Sequence, residues 1–268
     1  MQLCDIGVNL TNNRFEDDWQ ETVARAVASG VEKLIITGTD MQESEEALAQ
    51  ANALPTHCYA TVGIHPHYAK DAVDENGKPN FQAQMQSLLS DNKAVAVGEC
   101  GLDFNRDFSP RENQLAVFEA QLILACEHQL PVFLHERDAF EAQYQLLKKY
   151  RHDLVGGVAH CFTGNLAQMQ AYLELGLYIG VTGWLCDPKR GKTLREAVSQ
   201  LPLTRLLVET DAPYLMPKTL KPGAKRNEPE NLPHIVTALC ALLPNAPSED
   251  DVARASFENS VNLFNLEG

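Results

Sequence analysis

The chain has 268 residues, 44% of them hydrophobic, and its 22 Lys and Arg against 36 Asp and Glu give a formal net charge of −14. That length suits a (β/α)8 barrel as one unit. The acidic balance excludes sequence-independent coating of duplex nucleic acid, which needs a broad basic face, but not an enzyme that takes a polyanion at a small site through metal ions. No apolar run of about 18 residues is present, so no membrane span is expected. The first residues lack the basic-then-apolar pattern of a secretory signal. The seven cysteines are scattered, odd in number and never spaced CxxC, and they read as buried free thiols of a cytoplasmic protein.

In chain order, apolar runs rich in Val and Ile fall at 2–8, 33–38, 58–62, 94–98, 131–135, 157–160, 178–181 and 206–209. Most are continuous, as expected for parallel strands covered on both sides. Helical patterns lie between them. Phe15, Trp19, Val23 and Val27 recur every three to four residues before Gly30. Ser109, Pro110 and Glu112 predict a capped start for a helix through Leu124, Asp138 a cap for one through Tyr150, and Asn165 a cap for one that Gly176 ends. Helices at 193–201 and 232–243 follow, and Ser248 with Asp251 opens a last one through Phe264. The alternation predicts an α/β fold, a TIM-type (β/α)8 barrel forming one domain over 1–268. The rival, an open doubly wound sheet, lacks its glycine-rich first turn here. The Pro- and Gly-rich stretch 216–231 reads as a long loop after strand eight.

Polar residues gather just past the strands: Asn9 after strand one, His65 and His67 after strand three, Glu99 and Asp103 after strand four, His135 after strand five, His160 after strand six, and Glu209 and Asp211 after strand eight. A closed barrel opens all strand C-termini onto one mouth, where these residues converge. Imidazoles and carboxylates there are ligands for divalent ions. Glu99 can bridge two ions, and Asp211 can both bind metal and accept a proton from water. Singly, each has a plainer reading: a strand-end histidine as a hydrogen-bonding residue, Glu99 as a cap or a partner of Arg106, Asp211 as a helix cap. It is the joint pattern that points to a site. His57, His128, His152 and His234 lie in helical or loop contexts and read as structural.

The motifs Gly63-Ile64-His65-Pro66-His67, Gly98-Glu99-Cys100-Gly101-Leu102-Asp103, His160-Cys161-Phe162-Thr163-Gly164, Glu209-Thr210-Asp211-Ala212-Pro213-Tyr214 and Arg226-Asn227-Glu228-Pro229 closely resemble the TatD family of metal-dependent deoxyribonucleases, from Asp5 to Phe264. The resemblance implies a hydrolase barrel of the amidohydrolase type, with Glu99, His135, His160 and Asp211 as metal ligands and His65 beside the site. Many members carry His-x-His after strand one. Here Gly7 and Asn9 stand at those positions, and Asn9 offers only a weak oxygen ligand. The bacterial members that share this Gly-Val-Asn form imply a magnesium-dependent 3′–5′ exonuclease on single-stranded DNA and RNA, with a role in DNA repair or nucleic-acid turnover. Loss of two nitrogen ligands leaves an oxygen-richer site for one or two ions, favouring Mg2+ or Mn2+ over Zn2+.

The working assignment is therefore a nuclease that trims single-stranded DNA or RNA ends and needs no obligate protein partner. Asp211 is its proton acceptor, Glu99 a catalytic metal ligand, and His65 a contact to substrate or to a ligand. Lys218, Lys221, Lys225 and Arg226 form a locally basic loop directly after the strand of Asp211. It reads either as solvated or as a phosphate clamp, its position favouring the clamp, with Arg226 and Lys225 on the substrate. Trp184 and Tyr214 either stack an unpaired base or pack at the barrel rim. Two rivals remain: an amidohydrolase-type enzyme on a small amide, lactone or phosphate ester, and a non-catalytic scaffold with a vestigial site.

Overall fold

The protein is seen in a computed structural model that describes residues 1–220 and 226–266. Eight parallel strands, β1 (Leu3–Val8), β2 (Val31–Ile36), β3 (Cys58–Val62), β4 (Ala94–Asp103), β5 (Val132–Arg137), β6 (Gly157–Ala159), β7 (Tyr178–Val181) and β8 (Leu206–Val208), pair in sequence order. Helices α1 (Trp19–Ala28), α2 (Met41–Ala53), α3 (Gln82–Leu89), α4 (Arg111–His128), α5 (Phe140–Tyr150), α6 (Leu166–Glu174), α7 (Lys192–Val198) and α8 (Leu232–Cys240) lie between or after them, and α9 (Glu249–Phe264) ends the described chain. This is the expected TIM-type barrel, nearly closed. No described helix is long and apolar enough to cross a membrane.

Two apolar layers hold it. Inside the barrel, Cys4, Ile6, Ile35, Tyr59, Ala96, Phe133, Val158 and Leu207 pack together, and Phe264 and Leu266 from the end of α9 close the bottom. Outside, the opposite faces of the strands bury Leu34, Ile36, Val62, Val97 and Leu134 against the helices, as the two-residue alternation of a strand requires.

Local differences from the sequence pattern have physical causes. β4 runs on to Asp103 instead of stopping near residue 98. Gly98 and Gly101 adopt φ of +143° and +139°, which glycine alone tolerates readily, and the ladder to β5 shifts register between Val97 and Cys100. Glu99 and Asp103 thus lie within the strand. Ser109 does not cap α4; its hydroxyl donates to His67 O at 2.8 Å and accepts from Lys70 N–H at 3.0 Å, pinning the 66–71 turn. Asp138 does not cap α5 either. Glu136 accepts the Ala139 N–H at 2.7 Å, and Asp138 accepts from Asn105. The caps at Asn165 and Ser248 form as expected. All seven thiols are free; Cys126, Cys161 and Cys240 are half-buried, not fully buried.

The seam between β8 and β1 is the thinnest part of the sheet. It consists of a bridge between Val8 and Ala212, with Asn9 N–H donating to Ala212 O at 2.8 Å and Asp211 N–H to Gly7 O at 2.9 Å. Below it the buried Asp5 carboxylate accepts from Thr210 N–H at 2.9 Å, Thr210 Oγ1 at 2.5 Å and Gly7 N–H at 3.3 Å. Burial, with added repulsion from Glu209, outweighs these bonds and pushes the Asp5 carboxyl up to about 8. The folded chain therefore keeps a proton that the unfolded chain loses above the ordinary carboxylate range. That stability is complete below about pH 4 and lost as pH rises through 8. Asp5→Asn keeps the shape, with Oδ1 for the two amides and Nδ2 for the Thr210 hydroxyl. Between pH 5 and 8 the thermal midpoint of the parent should fall by several degrees more than that of Asp5→Asn, read by circular dichroism.

Candidate metal centre

The strand ends place Glu99 at the floor of a cavity of about 520 Å3 at the barrel mouth. Asn9, His65, His67, Arg106, His135, Arg137, His160, Trp184, Asp211 and Tyr214 line it among others. One oxygen organises the floor. Glu99 Oε1 lies 2.9 Å from His135 Nδ1, 2.9 Å from His160 Nε2 and 3.4 Å from His65 Nε2. Burial raises the Glu99 carboxyl, but His160, His65 and His135 outweigh it and hold the group well below the usual range. In turn, the carboxylates overcome burial at His135 and His160 and raise both.

The imidazoles differ in what holds their far nitrogen. His160 Nδ1 lies 3.1 Å from Glu209 Oε2, and His135 Nε2 faces Asp103 Oδ2 at 3.5 Å without a hydrogen bond. His67 Nε2 sits 2.7 Å from the same Asp103 oxygen. His65 Nδ1 accepts the His67 N–H at 3.1 Å. Burial and the neighbouring His135 lower His65 to about 4, so it is neutral with its proton on Nε2, turned to Glu99 as a donor. Asp211 stands across the cavity. Its Oδ1 accepts from Asn9 Nδ2 at 3.1 Å, so Asn9 presents its nitrogen and not an oxygen. Burial, with repulsion from Glu99 and Glu209 and against the attraction of His160, pushes Asp211 up to about 7.

Among the described residues, donor atoms of His65, Glu99 and His135 all lie within 4.8 Å of one another. With a buried His135 Nε2 left without a hydrogen bond, this donor set fits a divalent ion. His160 and Asp211 flank the trio. The metal-ligand positions expected from the sequence therefore share one cavity, and His65 enters the cluster as well.

The substrate contacts fall differently. Trp184 and Tyr214 line the cavity. The guanidiniums of Arg190 and Arg137 lie 4.2 Å and 5.8 Å from the Trp184 ring centre, and Tyr214 is 49% exposed. Arg226 is not brought to the site. Its guanidinium pairs with Asp18 at 2.6 Å and Glu228 at 3.0 Å and covers the Phe15 ring at 4.3 Å, tying its loop to α1. Lys218 pairs with Asp187 at 3.0 Å. Lys221 and Lys225 lie outside the described residues.

The cations that do face the cavity are Arg106 and Arg137, and among the described residues no carboxylate pairs with either. Arg137 was legible in principle. It sits two residues past His135 on β5, so strand alternation turns both the same way.

The family model for TatD related DNase matches residues 4–265. A protein of Rahnella sp. (strain Y9602) named 3'-5' ssDNA/RNA exonuclease TatD is 47% identical over 260 residues, covering 94% of this chain and 97% of its own. One of the same name from Salmonella typhimurium is 48% identical, covering 95% and 98%. The solved structure of YJJV, a TatD homolog from Escherichia coli K12, superposes with a TM-score of 0.88 at 32% identity, covering 99% and 98%. An organophosphorus hydrolase from Deinococcus radiodurans, at 15% identity and a TM-score of 0.61, shares the barrel alone. With nearly its whole length matched and its strand-end residues gathered at one mouth, the chain belongs to the TatD-related DNase family of hydrolases.

Proposed function

We propose that this chain, as a single barrel domain, is a metal-dependent exonuclease that removes nucleotides from the 3′ ends of single-stranded DNA or RNA. Glu99, His135, His160 and Asp211 would hold the ion. The observation that carries the reading is the buried Glu99 Oε1, on which imidazoles from β5 and from the loops after β3 and β6 converge, in a chain 47% identical to a protein named for that activity.

When bound, the ion neutralises phosphate charge and acidifies a coordinated water. Mg2+ is the proposed working ion, since Glu99 and Asp211 supply anionic oxygens, the ligands it prefers. The imidazoles make Mn2+ the tighter binder.

The chain's own residues do the rest. Asp211 accepts the proton of the attacking water at a carboxylate oxygen. The His65 Nε2–H and the guanidiniums of Arg106 and Arg137 hold phosphate oxygens. Trp184 and Tyr214 offer ring faces to a terminal base. A cavity of about 520 Å3 is of small-molecule size and takes one terminal nucleotide. A neighbouring groove shares Glu136, Arg137, Thr163 and Trp184 with it and takes the strand behind.

The test is hydrolysis of 3′- and 5′-labelled single strands. Mononucleotides should leave from the 3′ end with Mg2+, activity should vanish in EDTA, and Mg2+ or Mn2+ should restore it. Full activity in excess chelator, or turnover confined to small amides and esters, overturns the reading. Glu99→Ala should lose more than about 100-fold in rate with its circular dichroism spectrum unchanged.

Strand binding should respond differently to two arginines. Each phosphate contact on a single strand contributes roughly 0.7 to the slope of log affinity against log salt, so Arg137→Ala should flatten the slope by about that amount. Arg226→Ala should leave the slope unchanged and lower the thermal midpoint by a few degrees, because it removes one of the two arginines that Asp18 and Glu228 share and uncovers the Phe15 ring.

A further inference from the structure

Glu209 belongs to no part of the mechanism above. It follows β8, is fully buried and does not line the cavity, yet both its oxygens are committed to residues beside it. Oε2 lies 3.1 Å from His160 Nδ1, and Oε1 accepts the Cys161 N–H at 2.5 Å.

The space it fills is made for it by two glycines on other strands. A Cβ at Gly7 of β1 would meet Glu209 Oε2 at 2.4 Å, and one at Gly180 of β7 would meet Oε1 at 2.6 Å. Any side chain at either position would expel the carboxylate. The residue it grips is strained: Cys161, directly after His160, has φ of +43°, in the left-handed region that costs a non-glycine residue about 1–2 kcal/mol. Beneath, the Phe133 ring lies 4.6 Å from the His160 ring at a tilt of 30°, which opposes rotation of the imidazole about its Cβ–Cγ bond but does not set which nitrogen carries the proton.

We infer that Glu209 is a positioning residue for the metal centre: its carboxylate, seated in the space left by Gly7 and Gly180, keeps a proton on His160 Nδ1 and so presents the His160 Nε2 lone pair to the ion. The inference rests on the reading of the site as a metal centre. Its physical basis is that a carboxylate accepts only. Both His160 nitrogens face one, Nε2 facing Glu99 at 2.9 Å and Nδ1 facing Glu209 at 3.1 Å. Because Glu99 lines the cavity and Glu209 does not, a bound ion would replace the Nε2 proton and leave the Nδ1 proton in place. Such partners of metal-bound histidines set ring orientation and basicity. It also gives the glycine at position 7 a positive role. A side chain there would press on the buried carboxylate and force it to shift from His160.

The test uses the full-length protein loaded with Zn2+, a diamagnetic probe ion, and 15N NMR of its imidazoles. In the parent, His160 should show a slowly exchanging proton on Nδ1 and a metal-shifted Nε2. Glu209→Gln keeps the volume, but with its oxygen on the Cys161 N–H it turns an NH2 toward His160 Nδ1. That should move the proton to Nε2 and lower Mn2+ affinity by calorimetry about 10- to 100-fold.

The parent spectrum decides even if the variant does not fold, since metal on Nδ1, or a proton on Nε2, overturns the inference by itself. A Glu209→Gln protein that folds, binds Mn2+ as the parent does and keeps the Nδ1 proton overturns the role of Glu209 and leaves the metal centre standing. A parent that binds no divalent ion overturns both.

Discussion

A single carboxylate oxygen shared by three imidazoles is the constraint around which the barrel mouth is built. Glu99 Oε1 sits in a buried position where an ionised carboxyl is costly, and it stays ionised because His65, His135 and His160 converge on it. Those residues come from three separate βα connections, so the arrangement exists only when the sheet has curled far enough to bring β3, β5 and β6 round a common axis. The extension of β4 past Gly98 serves the same end. The glycines at 98 and 101 let the strand shift register against β5 and carry Glu99 and Asp103 into the mouth as parts of the sheet, not of a mobile loop.

Around this oxygen the chain divides its charge by place. Several cations are tied to carboxylates: Arg25 and Arg226 with Asp18 and Glu228, Arg111 with Asp107, Lys149 with Glu119, and Arg190 and Lys218 with Asp187. Arg106 and Arg137 stand apart, facing the cavity. An acidic molecule can therefore still offer positive charge to an anion where the chemistry is, while its outer surface repels polyanions at longer range.

How much of this the sequence disclosed follows from range. Each strand is a local pattern, so the barrel and its order were readable, and a polar residue just past a strand is bound to the mouth once the barrel closes; hence Glu99, His135, His160 and Asp211 could be placed. What escaped depends on distant parts meeting. The loop basicity at Arg226 looked like a clamp because its partner Asp18 is some two hundred residues away in sequence. Ser109 carries the signature of a helix cap, but the 66–71 turn claims its hydroxyl first. Glu209 stood in plain view beside Asp211, yet nothing nearby in sequence shows that Gly7 and Gly180 leave its carboxylate a place to sit.

The uneven stitching of the sheet gives the two sides of the donor set different stiffness. On one side, β4 and β5 stay in register from Cys100 with Leu134 to Asp103 with Arg137, fixing His135 on a continuous ladder that begins one residue past Glu99. On the other, Asp211 hangs from the seam, where a bridge and the Asp5 clip join β8 to β1. Backbone amides at such a join open with less cost than those in a full ladder, so Thr210 and Asp211 belong to the more readily opened side. An ion held as proposed would sit between one fixed jaw and one compliant jaw, a span that could follow ionic radius without rearranging the carboxylate on which the imidazoles meet.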